Sequence, residues 1–131
     1  MQITIVSSSE RPVYQQIIDQ IKQEIASGRL LPGEQLPTIR QLAVQLVINP
    51  NTIAKAYKYL EQEGLINTRP GGGSFVSEIS SRLSDSAKKE IVCQFLKQAA
   101  VESVLLKVAP ELLKEWFEET LKNYNIDTQR R

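Results

Sequence analysis

Residues 36–60 read LPTIRQLAVQLVINPNTIAKAYKYL and predict two short amphipathic helices joined by a tight turn. Thr38 and Gln41 have the spacing of a capping box, so the first helix is expected to begin at Ile39. Asn49 suits the N-cap of the second helix and Pro50 its first position. Apolar residues then recur at helical spacing: Ile39, Leu42, Ala43 and Leu46 in the first helix, and Ile53, Ala56, Tyr57 and Leu60 in the second.

The polar residues of the second helix gather on its outer surface, mostly toward its N-terminal end. They are Asn51, Thr52, Lys55, Lys58 and Tyr59. In a helix-turn-helix protein the second helix presents that end to the major groove of DNA. Asparagine can bond adenine N6 and N7 together, and lysine reaches phosphate or guanine. The pattern therefore predicts a recognition helix, although an ordinary helical hairpin with a solvated polar face would have the same pattern.

The charge balance of the 131-residue chain is nearly even, with 16 Lys and Arg against 15 Asp and Glu. Residues 1–79 hold seven basic and seven acidic residues, and residues 80–131 hold nine and eight. A nucleic-acid-binding domain usually has a clear basic excess, so the totals count mildly against DNA binding. Any positive surface must come from the placement of individual side chains.

The residue types exclude several kinds of active site. The chain has no histidine and one cysteine, which rules out a Ser-His-Asp triad, the usual zinc sites and an intrachain disulfide. Cys93 falls in an apolar helical pattern and is expected to be a small core residue. No signal peptide is visible, and no apolar run approaches the ~18 residues of a membrane span. We expect a soluble, cytoplasmic protein without a cofactor.

Flanking segments extend the two helices into a predicted domain over residues 11–79. Pro12 favours an earlier helix whose apolar face is Tyr14, Ile17, Ile18, Ile21 and Ile25 and which Gly28 ends. After Gly64, residues 65–69 and 74–78 read as two strands joined by a glycine-rich turn. Three helices and a β-hairpin are the order of a winged helix-turn-helix domain; a hairpin that merely covers the core is the alternative. Residues 2–6 alternate in polarity and could form an edge strand or lie extended.

Residues 80–131 predict a two-helix C-terminal tail. Ser84 and Asp85 can start a helix that reaches about Lys107, and Pro110 opens another. The apolar faces of these helices need either the winged domain or a second copy of the chain to cover them. We expect self-pairing, because one recognition helix reads too few base pairs and a dimer doubles the site. The expected dimer interface comprises Ile91, Phe95, Leu112, Leu113, Trp116, Phe117 and Leu121.

Four segments between about Arg11 and Ser77 resemble, in order and in register, the DNA-binding domain of the GntR family of bacterial transcription regulators. They read PVYQQIIDQI, SGRLLPGEQLPTIRQLA, INPNTIAKAYKYLEQEGLI and GGGSFV. The short tail resembles the YtrA-type subfamily. The resemblance implies a mainly α fold with a small β-hairpin, and a homodimeric repressor that binds a pseudo-palindromic DNA operator. The repressor often controls its own operon, which in this subfamily commonly includes an ABC transporter.

The resemblance also implies roles for individual residues. Arg40 would bind a backbone phosphate, Asn49 and Asn51 would contact bases or adjacent phosphates, and Arg69 would lie in a wing that enters or skirts the minor groove. The full set of expected DNA contacts is Thr38, Arg40, Asn49, Asn51, Thr52, Lys55, Lys58, Tyr59, Arg69, Gly71, Gly72 and Gly73.

Two departures from the family pattern bear on these roles. Val47 stands where a glycine is usual between the two helices, and it is expected to alter that turn. Pro70 and Gly72 occupy wing positions that are often basic. A less cationic wing makes fewer phosphate contacts, so we expect modest affinity and a shallow dependence on salt.

Three functional hypotheses follow, and DNA-binding regulation is the preferred one. A winged-helix module that contacts only proteins is the alternative, supported by the near-neutral charge. An enzyme is disfavoured, because carboxylates such as Glu118 and Glu119 lie on a solvated face and the glycine run lacks the Lys-Ser/Thr of a phosphate-binding loop. A small-molecule effector could bind near Trp116 and Phe117, although such aromatics usually form plain core.

Overall fold

The computed structural model describes residues 1–78 and 84–124. Within these ranges the chain forms five helices and one two-stranded antiparallel sheet. In chain order they are α1 (Val13–Ala26), α2 (Ile39–Leu46), α3 (Pro50–Gln62), β1 (Ile66–Arg69), β2 (Gly73–Val76), α4 (Asp85–Leu105) and α5 (Pro110–Leu121). The chain divides into two compact units, Met1–Ser80 (the winged unit) and Ser81–Arg131 (the helical unit).

The core of the winged unit is built from the apolar faces that helical periodicity predicts. Its fully or almost fully buried side chains include Ile17, Ile18 and Ile21 of α1, Leu42 and Ala43 of α2, Ile53, Ala56, Tyr57 and Leu60 of α3, and Ile66 and Val76 of the hairpin. The buried stripe predicted on α3 is therefore confirmed in full. On α1, Tyr14 and Ile25 are only half-buried. This packing holds the three helices and the hairpin around one centre.

Both predicted helix starts in the quoted stretch are confirmed. Thr38 Oγ1 accepts a hydrogen bond from the Gln41 backbone N–H (3.0 Å), and Gln41 Oε1 accepts one from the Thr38 N–H (2.9 Å). The reciprocal pair satisfies two donors that would otherwise lack partners, so α2 begins at Ile39. At α3, Asn49 Oδ1 accepts from the Asn51 N–H (2.8 Å) and Pro50 takes the first position.

The turn between α2 and α3 depends on a left-handed residue at Val47, with φ 55° and ψ 52°. This conformation lets the Ile48 N–H reach the Ala43 carbonyl (3.0 Å) and ends α2 after Leu46. A β-branched side chain crowds the backbone there, which explains why a glycine suits the position. The Val47 side chain is 90% exposed, so packing does not offset the strain.

The N-terminal segment forms no strand; glutamine side chains of α1 hold it instead. Gln20 accepts from the Thr4 N–H (2.9 Å) and donates to the Thr4 carbonyl (2.7 Å). Gln16 makes the same pair of bonds with Val6 (2.9 and 3.0 Å). Each amide thus pairs with the backbone as a neighbouring strand would. This arrangement places Ile3 in the core, and the winged unit includes residues before Arg11.

The hairpin pairs Ile66 with Val76 and Arg69 with Gly73. Gly71 and Gly73 have positive φ values of 69° and 89°, which a tight turn requires and glycine adopts without steric cost. An isolated bridge between Gln35 and Phe75 joins the loop before α2 to the hairpin. The wing is therefore tied to the same loop that starts α2.

The helical unit contains the two predicted helices. Ser84 caps α4 by accepting from the Ala87 N–H (3.1 Å), and Pro110 occupies the first turn of α5. Unlike the winged unit, this unit leaves most of its apolar residues exposed. The expectation that Cys93 lies in the core is wrong, because the structure exposes it on α4. Periodicity identifies an apolar face but does not show whether another element covers it.

Candidate nucleic-acid interface

The outer face of α3 presents three of the expected contacts together. Asn51, Lys55 and Lys58 are all exposed, and their i, i+4, i+7 spacing keeps them within a sector of about 60° on the helix. This sector lies opposite the buried Ile53 and Leu60. Side chains on one rigid helical face can enter one groove together.

The remaining expected contacts on α3 occupy its flank and its start. Thr52 is half-buried, and Tyr59 is 40% exposed with its ring 5.7 Å from Lys22 Nζ of α1. Asn49 is exposed, but its side-chain oxygen already caps the helix. Its NH₂ group is therefore the part that can donate to DNA.

The N-terminus of α2 offers an anion-binding position. Arg40 is exposed in the first turn, where backbone N–H groups lack helical partners and the helix dipole favours negative charge. The Thr38 hydroxyl accepts the capping bond and remains able to donate.

A buried hydrogen bond links this site to the recognition helix. The Tyr57 hydroxyl of α3 donates to the Pro37 carbonyl, just before the cap, at 2.7 Å. Burial raises the pKa of Tyr57, so the hydroxyl stays protonated as the donor. The bond fixes the start of α2 relative to α3.

The wing presents Arg69 above an aromatic ring. Its guanidinium carbon lies 4.0 Å from the centroid of Phe75. The side-chain amide of Gln35 donates to the Gly72 carbonyl of the wing at 3.4 Å. A Cβ at Gly73 would lie 2.8 Å from Gln35 Nε2, the end of a flexible side chain that can move, so the positive φ is what favours glycine at that position.

The ion pairs divide the basic side chains of the winged unit into two groups. Residues 1–78 contain seven basic side chains. Three of them pair with carboxylates on the structural helices and loops: Arg11 with Asp19, Lys22 with Glu63, and Arg29 with Glu24. The other four have no salt-bridge partner among the described residues, and they are Arg40, Lys55, Lys58 and Arg69. These are the four basic residues among the expected DNA contacts.

Sequence reasoning missed the rings beneath Lys55 and Arg69 and the Gln35 amide that bonds to the wing. Tyr14 lies beneath Lys55, with Nζ 3.9 Å from the ring centroid, yet the pattern placed it on an apolar face. Phe75 and Gln35 read only as strand and loop residues. The Tyr14 and Gln35 contacts join residues distant in sequence, so no local pattern could have indicated them. The Arg69 and Phe75 contact lies within one hairpin and follows from the register of its strands.

The residues expected at the dimer interface lie on α4 and α5. All but the half-buried Leu113 are exposed within the single chain: Ile91, Phe95, Leu112, Trp116, Phe117 and Leu121, with Phe95 exposed to 65%. Their exposure leaves them available for contact with a second chain, and the dimer interface stays a prediction.

Comparison with known proteins decides the family. Residues 13–76 match the model of the bacterial regulatory proteins of the gntR family. Over 117 residues the chain is 39% identical to the HTH-type transcriptional repressor YtrA of Bacillus subtilis (strain 168), covering 89% of this chain and 90% of that protein. This chain belongs to the GntR family. It resembles the YtrA type within that family, as the short tail indicated.

Solved structures of related proteins confirm the winged-helix fold of this GntR-family chain. A crystal structure described as a transcriptional antiterminator from Listeria monocytogenes EGD-e has a TM-score of 0.81 at 33% identity, covering 92% of this chain and 90% of that one. The AraR DNA-binding domain, in a crystal with its operator ORX1, has a TM-score of 0.53 at 30% identity. That match covers 59% of this chain and 96% of that one.

These relatives establish the general function. The chain is a transcriptional regulator with a winged-helix DNA-binding domain, and its relatives are regulators rather than enzymes. Among the residues that the structure describes, no helix is long and apolar enough to cross a membrane.

Proposed function

We propose that the protein is a homodimeric repressor that binds a pseudo-palindromic operator through α3, the start of α2 and the wing. The distribution of charge in the winged unit carries this proposal. Among the described residues of the winged unit, the four basic side chains without a salt-bridge partner all lie on these three elements. Phosphate neutralisation by such side chains supplies much of the affinity for DNA. A module that only contacts proteins would not need this arrangement.

The contacts divide into positioning and reading roles. Arg40 and Arg69 would bind backbone phosphates or the edge of the minor groove and so set the register of the domain. Asn51 and Lys55 point outward near the start of α3, where recognition helices meet base edges. Substitution of Arg40 and Arg69 would weaken binding to all DNA sequences. Substitution of Asn51 and Lys55 would also reduce the preference for the operator over other sequences.

The apolar face of the helical unit supports the homodimer. Large exposed side chains such as Phe95, Trp116 and Phe117 are costly to leave in water, and aromatic residues are enriched at the centres of interfaces. A two-fold dimer would present two recognition helices to half-sites ~34 Å apart. The resemblance to YtrA extends the proposal to repression of the protein's own operon, including an ABC transporter. Because bacterial DNA lies in the cytoplasm, we also expect the protein to act there. An effector near Trp116 and Phe117 remains a prediction.

Fluorescence anisotropy with a labelled duplex from the protein's own promoter tests the proposal. We expect salt-sensitive binding of two chains per duplex that a scrambled duplex does not reproduce. Eight cations per dimer limit the slope of log Kobs against log salt to about −7, since each phosphate contact contributes about −0.9. Alanine at both Asn51 and Lys55 should abolish specific binding without unfolding the protein, because both side chains are exposed.

A matched control removes one lysine and one asparagine outside the candidate interface. The double variant Lys122→Ala and Asn123→Ala changes exposed residues of the helical unit and should bind as the parent does. Equal loss in both double variants would contradict the assigned interface. A folded dimer that bound neither duplex, even at low salt, would favour the protein-contact module, and a slope implying ten or more phosphate contacts would contradict the limited cationic surface.

A further inference from the structure

Two of the four free cations of the winged unit rest on aromatic rings. Lys55 Nζ lies 3.9 Å from the centroid of Tyr14, and the guanidinium carbon of Arg69 lies 4.0 Å from the centroid of Phe75. Both distances fall well inside the ~6 Å at which a cation is attracted to the face of a ring. The two contacts lie on separate elements, α3 and the wing, so they arise independently.

Tyr14 provides a fixed platform beside the recognition helix. It is the second residue of α1 and packs against the hydrophobic core, with part of its ring exposed. Lys55 has a long, flexible stem, but its ammonium group reaches back over this ring instead of extending freely into solvent. The ring therefore restricts the positions that the ammonium group samples.

Phe75 plays the matching part in the wing. Arg69 pairs with Gly73 across the hairpin, and Phe75 is the next residue on the same face of the partner strand. Because Gly73 has no side chain, nothing on β2 separates the guanidinium from the ring. The bridge between Phe75 and Gln35 holds this strand against the loop before α2.

Such contacts order a cation without using up its hydrogen-bond donors. A guanidinium stacked on a ring keeps its N–H groups directed outward in its own plane, and an ammonium group facing a ring keeps donors free on its other side. Ordering a flexible side chain during binding reduces affinity. A side chain that is already ordered in the free protein avoids part of that loss.

We propose that Tyr14 and Phe75 are positioning residues that pre-order Lys55 and Arg69 for contact with DNA. The proposal rests on the proposed DNA-binding function and extends it to two residues that contact the cations rather than the operator. Each ring acts on its own cation, so the effect of losing a ring should depend on the presence of that cation.

The test is a pair of double-mutant cycles measured by anisotropy on the duplex from the protein's own promoter. Tyr14→Leu and Phe75→Leu should each weaken binding of the dimer by about five- to a hundredfold, the range expected when one side chain in each of the two protomers must be ordered on binding. Tyr14→Phe retains the ring and should stay within about twofold of the parent. In the Lys55→Ala background Tyr14→Leu should have no further effect, and Phe75→Leu should have none in the Arg69→Ala background.

Controls separate positioning from general stability. Val13→Ala and Leu65→Ala shorten half-buried side chains that pack against the core, one next to Tyr14 in the sequence and one just before β1. Neither residue takes part in the two cation–ring contacts, and both variants should bind as the parent does at a temperature where every variant is folded. The inference would be overturned if the ring variants still weakened DNA binding in the Lys55→Ala or Arg69→Ala background. It would also be overturned if the two control variants weakened DNA binding as much as the ring variants do. If Tyr14→Leu and Phe75→Leu bound DNA as the parent does while Lys55→Ala and Arg69→Ala bound it more weakly, the role of the rings would be refuted. The proposed DNA-binding function would then still stand. A parent that bound neither duplex would overturn the proposed function as well.

Discussion

The two units of this chain use apolar residues in opposite ways. In the winged unit Ile17, Ile53 and Leu60 are completely buried, and the cationic surface lies outside them. In the helical unit Phe95 and Trp116 remain 65% and 44% exposed. The winged unit buries most of its apolar side chains, fully or in part, within one chain, whereas most apolar side chains of the helical unit stay exposed in the single chain. A regulator built this way can separate DNA contact from self-association.

The largest test of this contrast compares Leu60→Ala with Phe95→Ala. Leu60→Ala leaves a cavity in a closed core and should destabilise the winged unit by about 2–5 kcal/mol. Phe95→Ala removes a side chain with little packing in the single chain, so it should mainly weaken the proposed dimer, by about 2 kcal/mol or roughly thirtyfold. Chemical denaturation measures the first effect and sedimentation equilibrium the second.

The same two variants have outcomes that would break the contrast. If Phe95→Ala lowered the stability of the winged unit as much as Leu60→Ala does, the exposed face would not be an independent association surface. If dimerisation were unchanged, this part of α4 would lie outside the interface.

A smaller effect is expected within the winged unit, at the turn before α3. Val47→Gly should raise the free energy of unfolding by about 1 kcal/mol, because the left-handed conformation costs valine more than the extra freedom of glycine in the unfolded chain. Thermal or denaturant unfolding measures this change. Val44→Gly is the matched control: Val44 is also highly exposed but lies inside α2, where glycine should destabilise by a few tenths of a kcal/mol, roughly the difference between the helix propensities of valine and glycine. A loss of stability in both variants would contradict the strain assigned to Val47.

The smallest effect concerns the ion pair at α1. Partial burial acts to raise the pKa of Asp19, but the hydrogen bonds from Arg11 and Gln15 and the charge of Arg11 outweigh it, and the pKa is lowered. A lowered carboxyl pKa stabilises the fold above the unfolded value near ~3.9 and loses this contribution as the pH falls through the folded value.

Asp19→Asn tests this assignment. It should reduce stability slightly at pH 7 and not at all at pH values below the folded pKa, as measured by denaturant unfolding across that range. Glu10→Gln is a suitable control, because Glu10 is exposed and belongs to no ion pair among the described residues. Equal losses at both pH extremes would show that packing, rather than charge, accounts for the effect.

Local sequence signals predicted the parts of the site that local physics controls. The capping box at Thr38 and the Asn49-Pro50 start depend on residues within four positions of each other, and both occur as expected. The exposed face of α3 follows from helical periodicity alone. By contrast, the platform under Lys55 joins α1 to α3, and the Gln35 contact joins a loop to the wing 37 residues later. Such contacts depend on how the elements pack.

The sequence by itself therefore determined the helices and the hairpin, their order, the family and the outward-facing residues of α3, because these depend on short-range spacing and on motifs in register. Only the tertiary structure decided which charges remain free, since Lys22 and Glu63, for example, meet only when α1 packs against α3. It also decided that residues 2–6 bond to glutamine side chains rather than to a strand. Cys93 and the rest of the apolar surface of α4 could not be assigned by periodicity, because a repeating pattern predicts a face but not what covers it.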